Sequence, residues 1–304
     1  MATDYITSDG KTFSDSNNSM ASHQAREHQA KLDGSGSSSS VSGSGRIINA
    51  SHDSGQKAFN EGRYNDAIEE CTEVINCKSS RALAIAVAYL NRGAAYFKKG
   101  EYDKAIADDK EAIRLLEDSV VTFYATDGVN DCLEQAKKNL ANVEQAKASD
   151  LVNQGLAAHK AGEYAKAVEL FRKAADMGNG WAMNNLGVCY RDGTGVPKDM
   201  NKAAEWFEKA ANNGHAGSMN GLGYCYLNGN GKTKDQAKAV EWFRKAIDAG
   251  NNAAMCSLGE CYRDGTGVKQ DFAEAEKWIN KSIANGGGEA EKAELAKLKK
   301  MRGY

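Results

Sequence analysis

Apolar and small residues recur along this chain with two periods at once. From residue 50 onward they fall three and four positions apart, the spacing that lines one face of an α-helix. Over a longer distance whole phrases return. "LGVCYRDGTGV" (Leu186 to Val196) reappears as "LGECYRDGTGV" (Leu258 to Val268), and a looser copy, "LGYCYLNGNGK", starts at Leu222, so the three are spaced 36 residues apart. The pattern predicts helices separated by glycine-bearing turns, in units that repeat. A single helix pair cannot cover its own apolar face, so like units stack and each buries its neighbour's.

The same logic reaches back along the chain. "GQKAFNEGRYNDAIEECTEVI", "GAAYFKKGEYDKAIADDKEAI" and "GLAAHKAGEYAKAVELFRKAA" bring Gly55, Gly93 and Gly155 into one slot, and Gly62, Gly100 and Gly162 into another. The first glycine lets two helices approach closely, and the second ends the leading helix in a left-handed conformation. Ala67, Ala105 and Ala167 stand where the second helix crosses the first. In the late copies Asp199, Asp235 and Asp271 are placed to cap the second helix, with Glu274 completing a capping box on Asp271. Between early and late copies, Leu133, Ala136, Leu140 and Val143 predict one long helix, preceded by a hinge loop, "EDSVVTFYATDG".

The early copies resemble the tetratricopeptide repeat, a helix–turn–helix unit of about 34 residues. In the late copies the interval from the leading-helix glycine to the second-helix aromatic is 20 residues (Gly187 to Phe207), against 16 in the copy before them (Gly155 to Phe171). Four residues have entered the turn. That longer glycine turn, with "LGxxY" before it and "KAxxWFxKAxxxG" after it, resembles the Sel-one-like repeat, a relative of the tetratricopeptide unit. Leu186, Tyr190, Trp206 and Gly214 recur as Leu222, Tyr226, Trp242 and Gly250, then as Leu258, Tyr262, Trp278 and Gly286. The resemblance implies an all-α, right-handed solenoid of roughly fourteen helices.

Its expected divisions are a Ser/Gly-rich leader over 1–46, two tetratricopeptide repeats over 47–117, and a hinge loop with a connecting helix over 118–148. A tetratricopeptide-like repeat over 149–178, three Sel-one-like repeats over 179–286 and a polar-faced capping helix over 287–304 follow. The leader's "DGSGSSSSVSGSG" carries too little apolar side chain to offset its ordering entropy, so disorder is expected there. Within it, "MASHQAREHQAKL" carries helix formers and reads as a transient helix or a docking peptide.

Composition narrows the function classes. A formal net charge of −2 gives no global pull toward nucleic acid or anionic lipid. No apolar run is long enough to span a membrane, and "MATDYITSDGKTF" is not a basic-then-apolar signal, so the expected compartment is the cytoplasm. The seven cysteines form no CxxC, and Cys189, Cys225 and Cys261 simply follow the repeat. Reduced, buried thiols fit better than zinc ligands or disulfides. "GNGKT" (Gly229 to Thr233) lacks the glycine that a phosphate loop needs at position 226, which is Tyr226. "DGTG" lacks the acidic spacing of a calcium loop. His23, His28, His52, His159 and His215 are scattered. No catalytic residue, cofactor or metal ligand is predicted, and the chain reads as a non-enzyme.

What the resemblance implies is a non-catalytic adaptor that holds a protein or peptide on the concave face of the solenoid. The alternatives are a regulatory subunit of a partner enzyme and a co-chaperone-type adaptor. Counted from the glycines, the carboxylate-binding slots of co-chaperone domains hold His52, Gln56, Asn91, Ser149 and Asn153, of which Asn91 alone matches. The disulfide-stapled subtype of Sel-one-like proteins is excluded by Ala175, Met183, Ala211 and Met219. Positions about 100° from the inward stripe of each leading helix are expected to line the groove. These are Trp181, Asn184 and Arg191, then Asn220 and Tyr224, then Arg263, with Phe59, Leu90, Asn91 and Phe97 in the early copies. They change from copy to copy while the stripe repeats, and their aromatic and arginine content suits binding hot spots.

Overall fold

The computed structural model describes residues 4–6, 12–14, 54–77, 82–122 and 127–303. Of the expected leader, these include only two short strands, β1 (Asp4–Ile6) and β2 (Thr12–Ser14); the expected disorder otherwise concerns residues outside the described ones. The strands pair antiparallel with Tyr5 opposite Phe13. Tyr, Ile, Thr and Phe favour extended backbone.

Thirteen helices make up the rest of the described chain. They are α1 (54–60), α2 (Tyr64–Asn76), α3 (Ala82–Lys98), α4 (Tyr102–Thr122), α5 (Asp127–Lys160), α6 (Tyr164–Asp176) and α7 (Gly180–Asp192). Then come α8 (Met200–Asn212), α9 (Ala216–Asn228), α10 (Gln236–Asp248), α11 (Ala253–Asp264), α12 (Phe272–Ala284) and α13 (Glu289–Met301). Two compact units divide the chain, Met1–Ala146 and Lys147–Tyr304. In the first, α1 pairs with α2 and α3 with α4, and Val87, Ala112 and Leu116 pack with Cys132 and Ala136 of α5. In the second, the pairs α7–α8, α9–α10 and α11–α12 follow the end of α5 and α6, and Leu298 of α13 closes the last core against Ala275 and Ile279.

Two boundaries differ from expectation. Helix α4 continues through the first half of the stretch read as a hinge, to Thr122, and residues 123–126 of that stretch lie outside the described ones. Helix α5 runs unbroken for 34 residues, so the division at 148 falls inside it. Ser149 and Asp150 resemble an N-cap, but the helix runs on through them without a break. Asp150 accepts instead from Gln154 Nε2, one turn on, at 2.7 Å.

The repeated residues account for the pairing. A Cβ added to Gly155, Gly187 or Gly223 would meet the ring of Phe171, Phe207 or Phe243 at 2.6, 2.6 and 2.5 Å. Only a bare Cα lets the second helix lie so close. Asp199 and Asp235 accept from the backbone N–H of Lys202 and Lys238 at 3.0 Å, capping α8 and α10. Asp271 caps α12 in the same way, but Glu274 turns to Lys277 at 2.9 Å, and the reciprocal half of the expected capping box is absent from the contacts Glu274 makes. Each long turn is closed by one further bond: Asp199, Asp235 and Asp271 donate their N–H to the carbonyls of Tyr190, Tyr226 and Tyr262, at 2.8–2.9 Å.

Candidate functional site

Helices α7, α9 and α11 are the leading helices of consecutive repeats in the second unit, and polar side chains tie each to the next. Ser218 of α9 donates to Asn184 of α7 at 2.8 Å. Ser257 of α11 donates to Asn220 of α9 at 3.3 Å, and its Oγ lies 2.8 Å from the Tyr224 hydroxyl. The Trp181 indole meets the edge of His215 at a centroid distance of 4.5 Å, and Tyr224 meets Phe243 at 5.2 Å. Trp181 is nevertheless 66% exposed, the most exposed large apolar side chain described, and Tyr224 is 37% exposed. Of the expected groove residues, Trp181, Asn184, Asn220 and Tyr224 thus share this surface. Arg191 is exposed too, with its guanidinium clasped by Asp192 at 2.7 Å.

His215 beside this surface and the buried Ser218 and Ser257 beneath it were not singled out in the sequence. One signal was available for the first. Asn179 and Asn251 accept from the backbone N–H groups of Ala182 and Ala254, and His215 takes the same slot 36 residues along, accepting from Ser218 N–H at 3.1 Å. An imidazole in an asparagine cap slot must keep an unprotonated Nδ1, and burial holds the His215 pKa below its ordinary value.

Three expected groove residues are buried instead. Arg263 is packed under α13, where it pairs with Asp264 at 2.6 Å and with Glu294. Those carboxylates hold its pKa above the ordinary arginine value. Leu90 lies in the core of α3, α4 and α5. Phe59 is buried against Tyr64, its ring 5.5 Å away. The reason lies in the short turn: Phe97 meets Tyr102 at 6.0 Å, and His159 meets Tyr164 at 5.1 Å in the same arrangement. The ring at this slot closes the turn onto the first residue of the second helix. Asn91 is half-buried, and its Nδ2 has no hydrogen-bond partner.

Beyond Tyr224 the surface turns acidic. Cys256 Sγ lies 3.9 Å from Glu260, and burial, with Glu260, Glu291 and Glu294 nearby, pushes its thiol up to about 12. Burial and Glu294 also raise the Glu260 pKa. At neutral pH such a thiol is protonated and a poor nucleophile.

Stacked glycine-paired helices carrying the long turn correspond to a known repeat. The Sel1 repeat family model matches residues 154–179, 182–215, 216–251 and 252–287, and the tetratricopeptide repeat model matches 86–119. The chain carries four Sel1 repeats and a tetratricopeptide repeat. Its Sel1 array includes 154–179, the copy read from the sequence as tetratricopeptide-like, although that copy lacks the four-residue extension of the turn. A protective antigen of uropathogenic Escherichia coli displaying an SLR fold is similar to this chain, at 28% identity and a TM-score of 0.44. The match covers 76% of this chain and 43% of the antigen, so the chain spans less than half of that protein's length. A Sel1 repeat protein from Oxalobacter formigenes is 32% identical, over 42% of this chain and 95% of the other, with a TM-score of 0.37. A putative Sel1 repeat protein from Klebsiella pneumoniae is 19% identical, over 73% of this chain and 97% of the other, with a TM-score of 0.32. No curated protein matches the chain. Repeats of these two families generally mediate protein–protein interaction. Among the described residues, no helix is long and apolar enough to cross a membrane.

Proposed function

We propose that this Sel1 repeat chain is a non-catalytic adaptor of the cytoplasm that binds a protein or peptide on the surface of α7, α9 and α11. The exposure of Trp181 carries the reading. Leu186, Gly187, Cys189 and Tyr190 of the same helix are buried, whereas Trp181 holds its indole outward on a neighbouring histidine. Leaving an indole so exposed forgoes the gain of burying it, and interface hot spots are rich in Trp and Tyr. Asn184 and Asn220 beside it are oriented by the serine hydroxyls of the following repeat, which supplies fixed polar contacts at the edge of the aromatic pair. The cytoplasmic assignment is supported by seven free thiols, which suit a reducing compartment.

The test is a quantitative affinity capture from cell extract with the full chain and with a Trp181→Ala, Tyr224→Ala double variant. The double variant is expected to keep its circular dichroism and lose at least tenfold of specifically captured protein. Equal capture by both would remove this surface from the function.

A further inference from the structure

Each helix pair sets one side chain of its second helix against the glycine of its first. Facing Gly55 is Cys71, facing Gly155 is Phe171, facing Gly187 and Gly223 are Phe207 and Phe243, and facing Gly259 is Ile279. Facing Gly93 is Asp109. Its Oδ1 lies 3.0 Å from the point a Gly93 Cβ would occupy, the residue is 1% exposed, and its Oδ2 has no hydrogen-bond partner. A carboxyl therefore fills a slot that elsewhere takes an apolar group or a thiol.

The neighbouring charges do not relieve it. Arg92 of α3 spends its guanidinium on Asp108, with Nε and Nη2 each donating at 2.8 Å, and on Thr72 at 3.0 Å. The same guanidinium lies over Tyr89 and Tyr96, at 5.2 and 5.9 Å from their ring centroids. From α2 comes the Cys71 thiol, which burial pushes up to about 12 and so keeps neutral. Helix α5 brings Cys132 and Ala136 to this core, and its Glu144 is paired outside with Lys110 at 3.6 Å. On α4 itself Asp108 adds like charge next to Asp109. Among the described residues, the other buried side-chain polar atoms without partners are Gln56 Oε1 and Asn91 Nδ2, on α1 and α3 of the same unit. Such atoms cost stability wherever they are sealed from water.

We propose that Asp109 makes the α3–α4 pair a proton-controlled element, closed while the carboxyl is protonated and loosened when it ionises. The ionised form would be a buried carboxylate with no cation and an acceptor left empty, which protein interiors do not tolerate without rearrangement. Burial and Asp108 push its pKa up to about 7. The folded-state value lies above the unfolded value of about 3.9. The folded state therefore binds more protons between the two, so stability is full below the lower value. It falls as pH rises toward 7 and levels off beyond.

The experiment is hydrogen exchange on the full chain at pH 5, 6 and 7, corrected for intrinsic exchange. In the wild type, the opening of α3 and α4 amides is expected to rise up to tenfold per pH unit, one proton's worth. Asp109→Asn removes the charge at constant shape and is expected to abolish the slope. Asp109→Cys, which copies the Gly55–Cys71 pair, gives the same readout should the asparagine variant fold poorly. A carbon-13 titration of the wild-type side-chain carboxyl is expected to show a midpoint near 7. A midpoint below 5, or a wild-type slope surviving in either variant, overturns the proposal.

Discussion

Gly187 and Phe207 touch so closely that a methyl group on the glycine would stand 2.6 Å from two ring carbons of the phenylalanine. The ring is buried and the backbone of α7 is the wall it rests on. Gly187→Ala is therefore expected to force α7 and α8 apart and destabilise the second unit by about 1–3 kcal/mol, the usual range for overpacking. Urea unfolding followed by circular dichroism measures it. Adding Phe207→Leu to the same chain should recover part of the loss, because the contact is removed from the other side. An alanine variant as stable as the wild type would mean that the helices have room to spare.

Phenylalanine, rather than tryptophan, is the core aromatic of the first two late repeats, in the slot that Ile279 fills in the third. Phe243 is fully buried beneath Gly223, while Trp242 beside it is half-buried and holds Lys245 Nζ 4.3 Å from the centre of its ring. Trp242 packs on the core of the preceding pair, with Phe207 and Leu222. Phe243→Ala is expected to cost about 3–5 kcal/mol, the range for truncating a buried aromatic. Trp242→Ala should cost less, since part of that ring is already in water. Thermal and urea unfolding of the two variants decide the order, and Trp242→Ala proving the more damaging would reverse the assignment. A loss confined to part of the transition is expected, because repeat arrays unfold in segments.

The repeat was legible because it is built from backbone requirements that few residues satisfy. Gly187, Gly223 and Gly259 mark close approaches, Gly193, Gly229 and Gly265 end helices at positive φ, and aspartates cap the second helices. The surface was less legible, because a leading helix has neighbours on more than one side. The slot three residues before the pairing glycine holds Leu90 and Val152 in the core, yet Asn184, Asn220 and Cys256 in the same slot are half-exposed. Helical angle alone gives all five the same orientation. What separates them is what the next helix brings: Ser218 and Ser257 in two cases, and apolar packing in the first two. Arg263 escaped for a related reason, since its partner Glu294 comes from α13, outside the repeat pattern.

Acid unfolding should reveal the caps. The backbone N–H groups of Lys202 and Lys238, followed by the nearby ammonium charges, hold the Asp199 and Asp235 carboxyls below the ordinary aspartate range. A depressed folded-state pKa contributes stability above the unfolded value, about 3.9, and loses it as pH falls through the folded value. An Asp199→Asn, Asp235→Asn double variant keeps a side-chain oxygen to cap each helix but has no proton to take up. Its urea midpoint is expected to fall less than that of the wild type between pH 5 and pH 2. Parallel curves for the two proteins would show that the capping carboxylates do not sense folding.

The two glycines of each long turn have different tasks, and substitution should separate them. Gly229 ends α9 at φ 75°, but a Cβ there would meet nothing nearer than Lys234 Cβ at 3.4 Å. Gly231 also has positive φ, at 70°, and its added Cβ would fall on the carbonyl of Met200, the first residue of α8 in the preceding repeat. Gly195 and Gly267 stand the same way over Tyr164 and Gln236, which open the second helices of their own preceding repeats. The turn is thus a joint between repeats as well as a link within one. Gly229→Ala adds only left-handed strain, about 1–2 kcal/mol. Gly231→Ala adds the same strain and a backbone clash that no rotamer can relieve, so its cost is expected to exceed about 3 kcal/mol. Because the clash falls between repeats, amides at the start of α8 should exchange faster in Gly231→Ala and remain protected in Gly229→Ala. Equal stability and equal protection in the two variants would show that the turns do not hold neighbouring repeats together.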